Sequence, residues 1–256
     1  MRFLKILILA LPSILLITSD VNASLLAANT SWGRIDRYDE ATSDFIDTLF
    51  NATNVKGLAF GADGNLYAAS TFSGRVDRYD GVTGDFIDTF FNASNIEGLA
   101  FGADGNLYAA NTSSGHVDRY DGVTGDFIDT FFNATSVKGL AFGADGNLYA
   151  ASTFSGRVDR YDGVTGDFID TFFNASNIEG LAFGADGNLY AANTSSGRVD
   201  RYDGVTGDFI DTFFNATNVK GLAFDVAVVS EPDSFFLMIL GLLGVRIFKN
   251  KQSEKI

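Results

Sequence analysis

The tetrapeptide Gly-Leu-Ala-Phe begins at residues 57, 98, 139, 180 and 221, always 41 residues after the previous copy. A repeat of this period means that the chain is an array of supersecondary units, none of which buries a core alone. Each whole unit reads Gly-Leu-Ala-Phe-Gly-Ala-Asp-Gly-Asn-Leu-Tyr-Ala-Ala. After a short variable stretch, Val-Asp-Arg-Tyr-Asp-Gly-Val-Thr-Gly-Asp-Phe-Ile-Asp-Thr-Phe-Phe-Asn-Ala follows. The copies are nearly exact. Residues 57–97 and 139–179 are identical, and 98–138 differs from 180–220 only at His116/Arg198 and Ser136/Asn218. The array is therefore a pair of units used twice.

Within residues 57–97 there are four short β-prone runs: Leu58–Phe60, Asn65–Ala69, Arg75–Tyr79 and Phe86–Phe91, here strands A to D. Asp63-Gly64 and Asp80-Gly81 are turn dipeptides. Helical periodicity is absent. Four strands in about 40 residues with glycine-rich turns predict one blade of a β-propeller. The adjacent apolar doublets Phe86-Ile87 and Phe90-Phe91 fit blades packed on both faces.

The ends of the array complement each other. Residues 24–56 align with strands B, C and D but have no strand A, whereas Gly221–Phe224 is a strand A alone. Joined, they make one further blade and leave no sheet open. The expected fold is all-β: a closed five-bladed propeller of four-stranded antiparallel blades over residues 24–226. The run from Gly-Leu-Ala-Phe-Gly-Ala-Asp-Gly-Asn-Leu-Tyr to Arg-Val-Asp-Arg-Tyr-Asp-Gly-Val-Thr-Gly resembles the NHL-type and streptogramin-lyase-like propeller repeats. That resemblance implies the fold. The lyase branch uses a His and acidic residues on one face, and nothing in this chain matches them, so the activity does not carry over.

The composition argues against catalysis. The chain has no Cys and one His, which removes thiolate chemistry and leaves little scope for imidazole acid–base work. Near-identical blades present the same side chain around a ring, whereas a catalytic site needs different groups at one point. His116 replaces an Arg and has no adjacent base, which fits a solvent-exposed role. The net charge of −14 repels nucleic acid and favours basic partners or divalent cations.

Propeller geometry sorts the remaining residues by face. The A–B and C–D turns share one face and carry Asp63, Asp80 and Asp85, then Asp104, Asp121 and Asp126, and so on around the ring. Carboxylates with turn carbonyls are hard-oxygen donors of the kind calcium takes. Asp-Gly is equally the ordinary chemistry of a tight turn, and both readings stand at this stage. The opposite face carries Asn92 and Asn174 in Asn-Ala-Ser loops, Ser/Thr runs, and Trp32, Phe72 and Phe154 at B–C turns. Amides and hydroxyls beside an aromatic ring suit a sugar, and they also suit a solvated loop. The residue before each strand A alternates as Lys56, Glu97, Lys138, Glu179, Lys220. Around an odd ring this charge belt at the channel mouth must fail once, where Lys220 meets Lys56. That junction fits either an anion or a mild solvated repulsion. Arg78 and its copies are expected to pair with carboxylates such as Asp77 or Asp88.

The two ends read as addresses. Arg2 and Lys5, an apolar run over 6–17 and Val21-Asn22-Ala23 have the order of a cleaved signal peptide over 1–23, the alternative being an N-terminal anchor. At the other end, Ser230-Glu231-Pro232, a short apolar stretch containing Leu-Gly-Leu-Leu-Gly and a basic end are similar to the PEP-CTERM sorting signal, although its first Pro is missing. The alternative is an ordinary membrane tail. The resemblance implies transient inner-membrane anchoring through a short hydrophobic helix, an exosortase-type processing partner, with Glu231 and Pro232 in the sorting motif, and delivery to the surface or matrix of a Gram-negative cell. It further implies exopolysaccharide as the neighbour. The expected function is multivalent binding or structural support at the cell surface, with no cofactor unless calcium. The alternatives are a calcium-stabilised spacer without a ligand and a lyase- or lactonase-like propeller.

Overall fold

The computed structural model describes residues 23–225, whose regular structure is twenty β-strands in five four-stranded antiparallel sheets. Residues 1–22 of the expected signal peptide (1–23) and the tail from 226 onward, with Glu231 and Pro232 of the expected sorting motif, lie outside the described residues. Blade 1 runs from the axis outward as Val55–Phe60, Asn65–Ser70, Arg75–Asp80 and Phe86–Asn92. The inner strands of blades 2, 3 and 4 are Ile96–Phe101, Val137–Phe142 and Ile178–Phe183.

The composite blade takes Val219–Phe224 from the end of the array and Ser24–Asn29, Arg34–Asp39 and Phe45–Asn51 from its start. Leu25 pairs with Phe224, Ala27 with Leu222 and Ala28 with Gly221. Beyond that ladder the Asp225 N–H donates to the Ser24 carbonyl at 2.9 Å. Val219–Phe224 also packs against Val55–Phe60, so the last inner strand meets the first and the five-bladed ring is closed.

The core lies between blades, which is why the inner strands are apolar on both faces. In blade 1, Leu66 and Ala68 pack toward the composite blade, while Tyr67, Ala69 and Val76 pack toward blade 2. Every junction repeats one Phe–Tyr ring stack: Phe50–Tyr79, Phe91–Tyr120, Phe132–Tyr161, Phe173–Tyr202 and, at the closure, Phe214–Tyr38 with centroids 4.1 Å apart.

Strand A begins three residues earlier than the sequence predicts, because a β-bulge lets the chain continue pairing. Val55 pairs with Ser70 and Gly57 with Ala69, which leaves Lys56 as the extra residue. The outer strand carries two more bulges, near Phe90 and near Ile87. These bulges, and not packing on both faces, account for the apolar doublets. Phe90 and Phe91 both pack on the same core cluster toward blade 2, while Phe86 and Ile87 are exposed on the outer rim.

Candidate functional site

The bulge that interrupts strand A falls at the belt residue, close to the neighbouring inner strands. Lys56 Nζ donates to Glu97 at 2.6 Å, Lys138 Nζ to Glu179 at 2.9 Å, and Lys220 Nζ to Glu179 at 2.7 Å. Lys138 also lies 3.6 Å from Glu97. The alternation holds, with Lys220 and Lys56 as the like-charged neighbours. Burial alone would push the Glu179 carboxyl up, but the hydrogen bonds from Lys220 and Lys138 outweigh it and hold the group below the usual carboxylate range. Burial likewise opposes the charge on Lys138, and its bonds to Glu179 and Glu97 reverse that and raise it.

A group with a depressed folded-state pKa adds stability that is present above its unfolded pKa and lost as pH falls through the lower folded value. Glu179→Gln leaves two half-buried ammonium groups short of a partner and is expected to cost about 1–3 kcal/mol at pH 7. Urea titrations should show the gap to wild type closing below about pH 4, as the wild-type carboxyl protonates.

On the A–B/C–D face, the carboxylates predicted as calcium donors cap their own turns. Asp63 accepts from the Asn65 N–H at 3.1 Å and its side-chain amide at 2.6 Å, and from the Tyr67 hydroxyl at 3.0 Å. Asp104 makes the same three contacts with Asn106 and Tyr108. Asp80 accepts from the Thr83 and Val82 N–H groups, and Asp121 from those of Thr124 and Val123, which lowers both carboxyls. Asp85 and Asp126 accept from the hydroxyls of Thr83 and Thr124. Among the described residues no three His, Asp or Glu side chains gather as a metal-binding group.

Arg78 resolves its choice of partner in favour of Asp88, which it grips with two bonds of 3.1 and 2.6 Å. Asp77 instead pairs with Arg75 at 2.8 Å and accepts from Thr89. In blade 2, His116 stands where the other blades carry that Arg, half-exposed, with Nδ1 3.8 Å from Asp118.

The channel itself is apolar. Its walls are the Leu, Ala and Phe side chains of the five inner strands, Leu58-Ala59-Phe60 and their copies, around about 320 Å³.

The opposite face carries a cleft between blades. It lies between blades 2 and 3 and has a volume of about 340 Å³. Blade 2 contributes Asn133, Ala134 and Thr135, and blade 3 contributes Ser152, Phe154, Arg157, Asp159 and Tyr161. The B–C turn is closed by the Gly156 N–H on the Ser152 carbonyl at 3.0 Å, with Gly156 at φ +66°, where glycine is at ease. That turn leaves Phe154 87% exposed at the rim, and Phe72 is 85% exposed at the equivalent place. Inside, Arg157 donates to the buried Asp159 at 2.8 Å.

The cleft thus joins Phe154 to the Asn-Ala-Thr loop of the preceding blade, not to its own Asn174. The loop after Asn174 abuts the B–C turn of blade 4, where Asn193 donates to the Ser176 carbonyl at 3.2 Å. Asn92 stands likewise one blade before the turn at Thr112, whose N–H bonds the Asn95 carbonyl. Those two turns carry Ser113 and Ser195 in place of an aromatic. Trp32 lies over its own Arg34, 4.1 Å from the ring centroid, and is 63% exposed. Sequence reasoning missed Arg157, Asp159 and Tyr161. Their repeat identity marked them as blade structure, and only the twist of the blades opens them to the cleft.

No protein-family model matches the chain. No curated protein matches it either. Solved structures do. A chain of a nidogen/laminin complex superposes with a TM-score of 0.59 over 80% of this chain and 99% of its own, at 16% identity. A gluconolactonase from Xanthomonas campestris gives 0.56 over 77% and 73%, at 17% identity. A protein of unknown function from Bacteroides caccae gives 0.54 over 80% and 99%, at 12% identity. At these identities the likeness is one of fold, and it places the chain among β-propellers that include both binding proteins and a lactonase.

Proposed function

We propose that this protein is an exported surface or matrix propeller that binds glycan multivalently through its inter-blade clefts. The observation that carries the reading is the cleft under Phe154, where an exposed ring stands over a floor of hydroxyls, an amide and the Arg157–Asp159 pair. An aromatic face covers the apolar face of a sugar ring, while donors and acceptors fixed in the protein take its hydroxyls. The same residue types recur under Phe72, so one chain offers at least two equivalent sites, and linked sites raise avidity without new contacts. Binding fits better than turnover because the channel, where a propeller enzyme would need converging polar groups, is walled by Leu, Ala and Phe. The terminal segments add export and exosortase-type processing to the proposal, with exopolysaccharide as the ligand class.

Glycan-array binding of the wild type against Phe72→Ala/Phe154→Ala tests this. Both rings are exposed, so stability should stay within about 0.5 kcal/mol of wild type. Binding to the best glycan is expected to fall about 5- to 30-fold, the loss of one stacked ring being worth about 1–2 kcal/mol. Unchanged binding by the double variant would overturn the assignment of the site.

A further inference from the structure

A second cavity opens on the A–B/C–D face between blades 3 and 4, with a volume of about 380 Å³. One wall is the turn Gly143-Ala144-Asp145 with Tyr149 and Arg160 behind it. The other wall is Phe183, Gly184 and Gly187, with Gly204 and Val205. One junction further round the ring, the protein fills the equivalent place itself. Glu40 stands in the composite blade where blades 1 to 4 carry Gly81, Gly122, Gly163 and Gly204. Its Oε1 accepts from the Asp186 N–H at 3.4 Å, and the Ala185 N–H also acts to lower this carboxyl. Burial, with the nearby Asp186 and Asp39 carboxylates, pushes the Glu40 carboxyl up against the lowering effect of the turn N–H groups.

The composite blade alone can carry a side chain here. In blades 1 to 4 a Cβ at this position would strike the carbonyl of the blade's own A–B turn, at Gly64, Gly105, Gly146 or Gly187. Strands A and B of the composite blade come from opposite ends of the array and are not joined by that turn. The glycine at the other junctions leaves the cradle open to something from outside.

We propose that the cavity at Ala144, with its equivalents at Ala62 and Ala103, binds the carboxylate of a compact, ring-sized organic acid through the N–H groups of the A–B turn, whose counterpart at Asp186 bonds Glu40 at the fourth junction. The donors are pre-arranged. Gly143–Gly146 is a β-turn closed by the Gly146 N–H on the Gly143 carbonyl at 3.0 Å, which leaves the N–H groups of Ala144 and Asp145 unused by the turn itself. Successive N–H groups in such a turn form an anion-binding concavity. Arg160 is already paired with Asp170 and lies 3.8 Å from Asp145, so recognition rests on the N–H donors and not on a free cation. Tyr149, Phe183 and the exposed Val205 give the body of the acid an apolar seat. This site is on the face away from the glycan clefts and does not depend on them.

Calorimetry on the full-length protein tests the proposal, with galacturonate and benzoate as probes and galactose as the neutral control. At least one acid should bind with a stoichiometry of three, at least ten-fold tighter than galactose. The acid that binds identifies the body as sugar or aromatic. Ala62→Pro/Ala103→Pro/Ala144→Pro removes one donor from each cradle at the turn position that tolerates proline. It should weaken binding ten-fold or more with an unchanged circular dichroism spectrum. Glu40→Ala should open the occupied cradle and raise the stoichiometry to four. Phe72→Ala/Phe154→Ala should leave acid binding as it was, which separates this site from the glycan reading. Failure of both acids to bind, or a stoichiometry that Glu40→Ala does not change, overturns the proposal.

Discussion

Ending the chain after Asn218 is expected to abolish the folded ring, whereas ending it after Asp225 should leave melting temperature and secondary structure close to those of the full chain. The seven residues between these points hold the composite blade together. Val219, Leu222 and Ala223 are buried, and the Phe224 ring stacks edge-on against Tyr190 of blade 4 at 4.8 Å. Removing them takes away a backbone ladder with Ser24–Asn29 and opens both the composite sheet and its contact with blade 1. Losing a single large buried side chain costs about 2–5 kcal/mol. Losing this strand should therefore cost on the order of 5–10 kcal/mol, comparable with the whole stability of an ordinary domain. Circular dichroism and size-exclusion chromatography of the two truncations decide the matter. Equal stability of both would mean that the ring does not depend on its closing strand. Dimers of the shorter chain would show its open edge seeking a strand from another copy.

The second large effect concerns the glycines where the inner strands meet. Gly98 lies so close to the neighbouring strand that an added Cβ would run into the Lys138 carbonyl, and Gly180 stands in the same relation to Lys220. Both obstacles are backbone, which cannot swing aside. Gly98→Ala/Gly180→Ala should therefore destabilise by about 3 kcal/mol or more, beyond the usual 1–3 kcal/mol of an overpacked side chain. A turn glycine provides the contrast. Gly105 has φ +79° and nothing within 4 Å of its Cβ position. Gly105→Ala should cost only about 1 kcal/mol, the strain of an L-residue in the left-handed region. Urea unfolding of the two variants with a common m-value tests the ordering. A smaller loss at the ring positions than at Gly105 would show that the inner strands can move apart.

The blade count, the strand identities and the closure by complementary ends were legible in the sequence because repetition makes position visible. Gly221–Phe224 could be placed on strand A only because four complete copies defined what strand A is. The belt Lys56 to Lys220 was legible for the same reason. The bulges at Lys56, Ile87 and Phe90 were not, since a bulge has no residue signature and follows from how one strand meets its partner. The same limit applies to the site. Phe154 stood out as the odd residue of its turn, but its companions Arg157, Asp159 and Asn133 are common to the repeat. Only the angle between adjacent blades brings them under it. Glu40 is the inverse case: it departs from the repeat in plain sight. Its contact with Ala185 and Asp186 becomes intelligible only once the composite blade is known to lack a closed A–B turn.

The collar of alternating ammonium and carboxylate groups also bears on how such a chain can lengthen. The duplicated block contributes one blade of each sign, and the terminal fragments contribute a single extra blade bearing Lys220. Another round of block duplication would always yield an odd number of blades. Parity then guarantees two adjacent lysines whatever the diameter. A fully compensated collar would require the copying of half a block, so growth by whole blocks inherits the mismatch.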